Sequence, residues 1–287
     1  MGSRTEPESR KAFAKVNLTF EVIGKRADGY HEVVSVMQAI DLCDVLTFEP
    51  RESLYLACSI PELVSPNNLV FRAARLMQDA AGQHRGVAIS LTKGIPLAGG
   101  LGGGSSDAAA VLRSLNDLWQ TGLSAEKLSG LGAGLGSDVP FFCSGSTTAL
   151  AEGRGERVTA LPSLRPTWVV LAVPDIRMAD KTGRMYACLD ASRFSDGHHA
   201  RRVAGLIERG ESVVSELCYN AFDNVAYSFF PGLERYRQSL LAAGADEVHV
   251  AGAGPVLFTI TGDRARGVAT VEKLRSERVE SYLVRAL

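Results

Sequence analysis

Residues 96–106 read Pro-Leu-Ala-Gly-Gly-Leu-Gly-Gly-Gly-Ser-Ser, with five glycines between Gly99 and Gly104. Upstream, Val87, Ile89 and Leu91 alternate with other residues and predict a strand. Downstream, Ala108, Val111, Leu112, Leu115, Leu118 and Trp119 fall on one face of an amphipathic helix. A glycine run between a firm strand and a firm helix is poorly suited to be a linker. Glycine lets the backbone take positive φ and approach a ligand closely. A helix start adds unpaired N–H donors and a partial positive charge. The order strand, glycine loop, helix therefore predicts a phosphate cradle built from Pro96, Leu97, Ala98, Gly99, Gly100, Leu101, Gly102, Gly103 and Gly104. Ser105 and Ser106 bring hydroxyls that suit phosphate or a magnesium ion. A side chain placed at Gly103 is expected to stand where phosphate sits. No lysine follows the glycines, as a Walker A loop requires, and the Rossmann spacing is not met.

The rest of the chain supplies elements for a mixed fold. Ala14, Val16, Leu18, Phe20 and Val22 alternate with Lys15, Asn17, Thr19 and Glu21, which predicts a half-buried strand with Lys15 and Asn17 on its polar face. A glycine-containing loop carrying Tyr30 and His31 follows, then extended runs over residues 32–48 and 54–58. Asn68 is placed to cap a helix containing Leu69, Ala73, Leu76 and Ala80. A helix over residues 125–133 leads to Gly136-Ser137-Asp138-Val139-Pro140. After a break at Arg165-Pro166 a strand is expected over 168–173. A mainly helical second half follows, with strands over 247–251, 256–261 and 279–284. Strands and helices without regular alternation predict an α+β class and two domains, 10–164 and 165–287.

The balance of charge narrows the partners. With 31 basic and 32 acidic residues the net charge is −1, and no basic stripe marks a nucleic-acid surface. No apolar run reaches the roughly 20 residues of a membrane span. Residues 1–10 are polar, read as a tail, and lack the apolar stretch of a signal peptide. Five scattered cysteines with no CxxC pair fit free thiols in a reducing cytoplasm. The expectation is a cytoplasmic protein that meets neither nucleic acid nor membrane, as a monomer or weak homodimer.

Two polar residues are candidates for phosphoryl-transfer chemistry, which needs a placed nucleophile, a proton acceptor and positive charge at the phosphoryl group. Lys15 offers the charge and Asp138, flanked by Val139, Phe141 and Phe142, offers the carboxylate. Alone, Asp138 also reads as a helix cap and Lys15 as a solvated strand residue. Tyr30 and His31 pair a stacking face with a hydrogen-bonding ring, which suits a nucleobase.

Residues 96–110 resemble the second motif of the GHMP kinases, the family of galactokinase, homoserine kinase and mevalonate kinase. Ala14-Lys15-Val16-Asn17-Leu18, Asp28-Gly29-Tyr30-His31 and Gly136-Ser137-Asp138-Val139-Pro140-Phe141 are similar to the members that act on a cytidine-diphosphate-linked methylerythritol in the non-mevalonate route to isoprenoid precursors. The resemblance implies a ribosomal-protein-like N-terminal, ATP-binding domain and a ferredoxin-like C-terminal domain, with ATP and Mg2+. It implies that Lys15 and Asp138 are the catalytic pair and that Asn17 helps hold the substrate. It implies that Tyr30 and His31 read cytosine, that Tyr186 stacks on the base from its other side, and that Lys93 and Asn68 contact the nucleotide. Ser106 is the candidate magnesium ligand. The family's third glycine motif reads Ala251-Gly252-Ala253-Gly254-Pro255 here, without the usual hydroxyls and with one backbone donor lost at Pro255. Such a turn still packs on the phosphate loop. Another hydroxyl acceptor, such as homoserine or mevalonate, disagrees with Asp28-Gly29-Tyr30-His31. A non-catalytic sensor of sugars or nucleotides disagrees with keeping both Lys15 and Asp138.

Overall fold

The computed structural model describes residues 8–82, 85–178 and 180–287. In chain order the elements are β1 (Glu8–Lys25), β2 (His31–Arg51), β3 (Tyr55–Cys58), α1 (Leu69–Ala81), β4 (Gly86–Thr92), α2 (Gly103–Trp119), α3 (Ala125–Ala133) and α4 (Val139–Ser144). They continue with β5 (Thr148–Gly153), β6 (Arg157–Ala160), β7 (Trp168–Val173), α5 (Lys181–Ala187), α6 (His198–Glu208) and β8 (Tyr219–Asn220). The last are α7 (Asp223–Phe229), α8 (Leu233–Ala242), β9 (His249–Val250), β10 (Leu257–Thr261), α9 (Arg264–Ser276) and β11 (Glu280–Arg285). Of the expected polar tail, residues 1–7 lie outside the described residues, and Glu8, Ser9 and Arg10 already belong to β1. Among the described residues no helix is long and apolar enough to cross a membrane.

The chain forms two compact units. One takes residues up to Ala14, Leu42–Ile95 and Gly102–Gly145, and the other takes Lys15–Asp41, Pro96–Leu101 and Ser146–Leu287. Neither is contiguous, because β1 and β2 each give residues to both.

In the first unit β4 pairs antiparallel with the end of β2, from Val45 opposite Thr92 to Arg51 opposite Gly86, and β3 runs parallel along the other edge of β4. The alternating Val87, Ile89 and Leu91 turn inward onto α1 and α2. Val70, Ala73 and Met77 of α1 and Val111, Leu112 and Leu115 of α2 close that core with Leu46 and Phe48. Burying a side chain of this size stabilises by about 1.5–3 kcal/mol, so Leu112→Ala costs about 2–5 kcal/mol once its cavity is included. The start of α1 is fixed locally: the Asn68 side chain accepts from the Val70 N–H at 2.9 Å. Its end is set by Gly82 at φ 60°, a left-handed cap that glycine takes without steric cost.

In the second unit the first half of β2 pairs antiparallel with β5, and β5 with β6, while Thr19 and Phe20 of β1 run parallel beside Tyr219 and Asn220 of β8. A separate four-stranded sheet has the order β11-β7-β10-β9 with every pair antiparallel. Val170, Ala172, Phe222, Phe230, Leu240, Leu257 and Leu274 pack in its core. The strand expected over 247–251 shortens to two residues, because the turn around Gly252 and Gly254, both at positive φ, follows at once.

One expectation is corrected in β1. The strand is not half-buried: Lys15, Asn17, Thr19 and Glu21 are each at most 3% exposed. Period-two alternation separates the chemistry of two faces, but it does not say which face meets water. The polar face of β1 is enclosed, and hydrogen bonds replace solvent on it. Asn17 donates to Ser35 Oγ at 2.7 Å, Ser35 donates to the Thr19 carbonyl at 2.6 Å, and the Val36 N–H donates to Thr19 Oγ1 at 2.9 Å.

Candidate active site

The glycine loop takes three positive-φ residues in five, Ala98 at 53°, Gly100 at 87° and Gly102 at 72°. At Gly100 the requirement is absolute, since a Cβ there would lie 1.8 Å from the Ala251 carbonyl oxygen. A Cβ at Gly99 would press on Val256 Cγ2 at 2.7 Å. Within the second unit the third glycine turn thus packs directly on the loop, and the Val256 N–H donates to the Gly99 carbonyl at 3.3 Å. Asn220 holds that turn by donating to the carbonyls of Val250 and Gly252 at 2.7 and 2.9 Å.

In the first unit α2 begins with Gly102 as its cap, and its first intrahelical bond runs from the Ser106 N–H to the Gly102 carbonyl at 2.9 Å. The N–H groups of Gly103, Gly104 and Ser105 donate to none of the described residues, which leaves three donors for an anion. Gly104 is exposed, Ser105 half-buried and Ser106 buried. The expectation for Gly103 is corrected: a Cβ there points toward Ile95 at 3.2 Å and Asp44 Oδ2 at 3.5 Å, into the unit's interior. Gly103 serves helix packing, and Gly104 is the more exposed of the two.

Beneath this helix start lies a buried ion cluster. Lys93 pairs with Asp44 and, at 2.8 Å, with Asp107. The other oxygen of Asp44 accepts the N–H groups of Gly94 and Ile95 at 2.7 and 2.8 Å, fixing the strand end that leads into the loop. Burial pulls the Lys93 pKa down, but the two carboxylates outweigh it and leave it raised. Burial pushes the Asp107 carboxyl up against the pull of Lys93, with Asp44 adding to the rise. The side chain of Lys93 is enclosed by its own unit, and Asn68 spends its amide on the Leu63 carbonyl at 2.8 Å and its oxygen on the α1 cap.

The aspartate turn lies against the same helix start. A Cβ at Gly136 would meet Ser105 Oγ at 3.5 Å, so the residues just before Asp138 stack on the serine pair. Asp138 occupies the cap position of α4, yet its side chain makes no capping bond. Asp138 therefore does not cap α4, and its carboxylate is half-buried.

In the second unit the Lys15 N–H donates to the Leu101 carbonyl at 2.9 Å and its ammonium donates to Asn17 Oδ1 at 2.7 Å. A Cβ at Gly252 would come within 3.3 Å of Lys15 Nζ. The same unit carries a residue that sequence reasoning missed. Buried Lys181 donates its ammonium to the Ala98 carbonyl within the glycine loop. Burial first, and the charge of Lys15 second, bring its pKa down to about 8. No local signal marks Lys181, Asp44 or Asp107, because each gains meaning from a partner far along the chain.

The expected base-reading residues also sit in the second unit. His31 stacks on Tyr186, with ring centroids 4.7 Å apart and planes at 17°, and Phe194 stands edge-on to His31 at 6.1 Å. Burial, then Lys25, lowers the His31 pKa, so the ring is neutral near pH 7. Tyr30 is 53% exposed and carries the Arg154 guanidinium over its ring at 4.8 Å. The Tyr30 N–H donates to Asp28 Oδ1 at 3.1 Å, an Asx turn that fixes the loop.

Residues 68–146 match the GHMP kinases N terminal domain and residues 204–280 the GHMP kinases C terminal domain. A crystal structure of a 4-(cytidine 5'-diphospho)-2C-methyl-D-erythritol kinase superposes with a TM-score of 0.82 at 34% identity, over 98% of this chain and 100% of that one. Homoserine kinase from Cytophaga hutchinsonii shares the fold at a TM-score of 0.68 and 16% identity, over 100% of this chain and 96% of that one. The α+β fold in two domains and its glycine loop define a GHMP kinase. Relatives called 4-diphosphocytidyl-2-C-methyl-D-erythritol kinase are 44% identical in Dehalococcoides mccartyi, over 96% of both chains, and 42% identical in Symbiobacterium thermophilum, over 96% of this chain and 98% of the relative. The chain belongs to the family of 4-diphosphocytidyl-2-C-methyl-D-erythritol kinases.

Proposed function

We propose that this chain transfers the γ-phosphate of ATP to the 2-hydroxyl of 4-diphosphocytidyl-2-C-methyl-D-erythritol, in the non-mevalonate route to isoprenoid precursors. The observation that carries the reading is identity of 44% along 96% of the chain to a relative of that name. The two family matches fall on either side of residue 165 and support the division into an ATP-binding domain, 10–164, and a second domain, 165–287.

In this reading the free N–H groups of Gly103, Gly104 and Ser105 cradle the ATP phosphates, with Pro96, Leu97, Ala98, Gly99, Gly100, Leu101 and Gly102 shaping the loop. Fixed donors aimed at charged oxygens need no reorganisation during transfer, which is how such sites lower a barrier. Asp138 accepts the proton of the attacking hydroxyl. Lys15 stabilises charge on the transferred phosphoryl, and Asn17 orients Lys15 through their hydrogen bond. Magnesium, when bound, neutralises phosphate charge. The donor set suits it: Ser106 offers a hard oxygen, beside Asp107, whose Oδ1 is buried without a hydrogen-bond partner among the described residues. His31 and Tyr186 stack on one another with no room for a base between them. Cytosine therefore lies on the one face they form, in place of the expected stacking of Tyr186 on its far side, and Tyr30 borders it. Lys93 and Asn68 act on the nucleotide through the loop and helix they brace.

The test is coupled ADP release with the cytidine-diphospho substrate, with homoserine and mevalonate as controls. Turnover of the cytidine substrate alone supports the assignment, and preference for either control overturns it.

A further inference from the structure

A cluster in the second unit is unused by the kinase reading. Glu21, His198 and His199 each offer one ligand atom, and these atoms lie within 4.8 Å of one another. Glu21 stands on the enclosed face of β1 and is fully buried. One carboxylate oxygen, Oε1, accepts the Ala200 N–H in the first turn of α6 at 2.7 Å. The other, Oε2, is buried with no hydrogen-bond partner among the described residues. An unpartnered buried carboxylate oxygen is costly to leave bare. Two imidazoles stand at the mouth of this position, His198 exposed and His199 half-buried.

Both rings are braced. His199 stacks face to face on Tyr219, with centroids 4.2 Å apart and planes at 3°. His198 Nδ1 lies 2.7 Å from Asp196 Oδ1, and the His198 N–H donates to the same oxygen at 3.0 Å. A carboxylate behind an imidazole fixes its orientation and raises its basicity, as behind metal-binding histidines. Two neutral imidazole nitrogens and one carboxylate suit a borderline divalent transition ion such as Zn2+, which takes such ligands at about 2.0–2.2 Å. They do not suit Mg2+, which wants an octahedron of oxygens. Ligand atoms around such an ion lie about 3.3 Å apart, so binding would draw these three donors, within 4.8 Å of one another, closer together.

We propose that Glu21, His198 and His199 bind one Zn2+-class ion, which staples the start of α6 to β1. Glu21 is six residues from Lys15 on an extended strand, or about 20 Å. The ion is therefore structural and separate from phosphoryl transfer.

The test uses the full chain stripped with EDTA and titrated calorimetrically with ZnCl2, with MgCl2 as the control. Co2+ absorption reports the ligand type. The expected result is one Zn2+ per chain, a raised melting temperature, a Mg2+ titration that is the same in wild type and the His198 variant, and a four-coordinate Co2+ spectrum without thiolate charge transfer. Glu21→Gln, His198→Ala and His199→Gln should each weaken binding about tenfold or more, and Asp196→Ala about 10–100-fold. Because His198 is exposed, its variant folds whatever happens at Glu21, and melting curves of the metal-free proteins check this. Absence of saturable Zn2+ binding, unchanged affinity in the His198 variant, or a thiolate band from cysteine ligation would each overturn the proposal.

Discussion

Lys181 reaches back from α5 to donate its ammonium to the carbonyl of Ala98, a non-glycine residue held at a φ of 53° in the glycine loop. The bond ties a strained loop position to a buried cation of the same unit. Lys181→Met removes both the tie and the charge, and a lost charge-assisted bond costs about 1.5–3 kcal/mol. The KM for ATP should rise about tenfold or more, measured by initial rates, with the KM of the second substrate little changed.

The same lysine makes stability depend on pH. Its folded pKa, about 8, lies below the ordinary value of 10.5, so between these the unfolded chain holds more protons and stability rises with pH. Below pH 8 the burial penalty is fully present, at about 3 kcal/mol. Urea titrations of wild type and Lys181→Met from pH 7 to pH 10 should show the variant's relative stability falling as pH rises. Parallel curves would show that Lys181 keeps its ordinary pKa.

Asp138→Asn preserves shape and removes basicity. A placed general base is worth about 100- to 10,000-fold, so kcat should drop by that factor while both KM values stay near wild type. Asp138 does not cap α4, and melting curves of the variant check that the fold is kept. A fall in melting temperature with little loss of kcat would return Asp138 to a structural role.

The glycines of the loop are not equivalent. Gly100→Ala forces a methyl group against the Ala251 carbonyl at a φ of 87°, and should destabilise by more than about 2 kcal/mol. At Gly104 a methyl group meets only Leu69 Cδ1 at 3.5 Å, in a helix where alanine is favoured by up to about 1 kcal/mol. Gly104→Ala should fold at least as stably as wild type yet bind ATP more weakly. Denaturant midpoints and ATP KM values for the two variants check both statements.

His31 and Tyr30 should separate in their effects on base choice. Stacking is worth about 1–3 kcal/mol whichever base is present, whereas a mismatched buried edge costs about 1–3 kcal/mol for each group left unpaired. His31→Ala should narrow the gap in kcat/KM between cytidine and uridine substrates. Tyr30→Ala, at an exposed ring already faced by Arg154, should lower both by similar and smaller factors.

The sequence by itself determined the local elements and the chemistry they carry. The alternation of Val87, Ile89 and Leu91, the helical spacing from Ala108 to Trp119 and the Asn68 cap are near-neighbour effects, and the structure has β4, α2 and the start of α1 where they point. The glycine loop was legible for the same reason, since positive φ and free helix N–H groups are properties of a few adjacent residues. Tertiary structure decided what those residues face. It enclosed the polar side of β1, turned Gly103 inward, enclosed Lys93 between Asp44 and Asp107, and brought Lys181 to Ala98 across 83 positions of sequence. Burial and long-range pairing depend on how distant segments pack. A linear pattern of polar and apolar residues records which side chains differ, but not which of them water reaches.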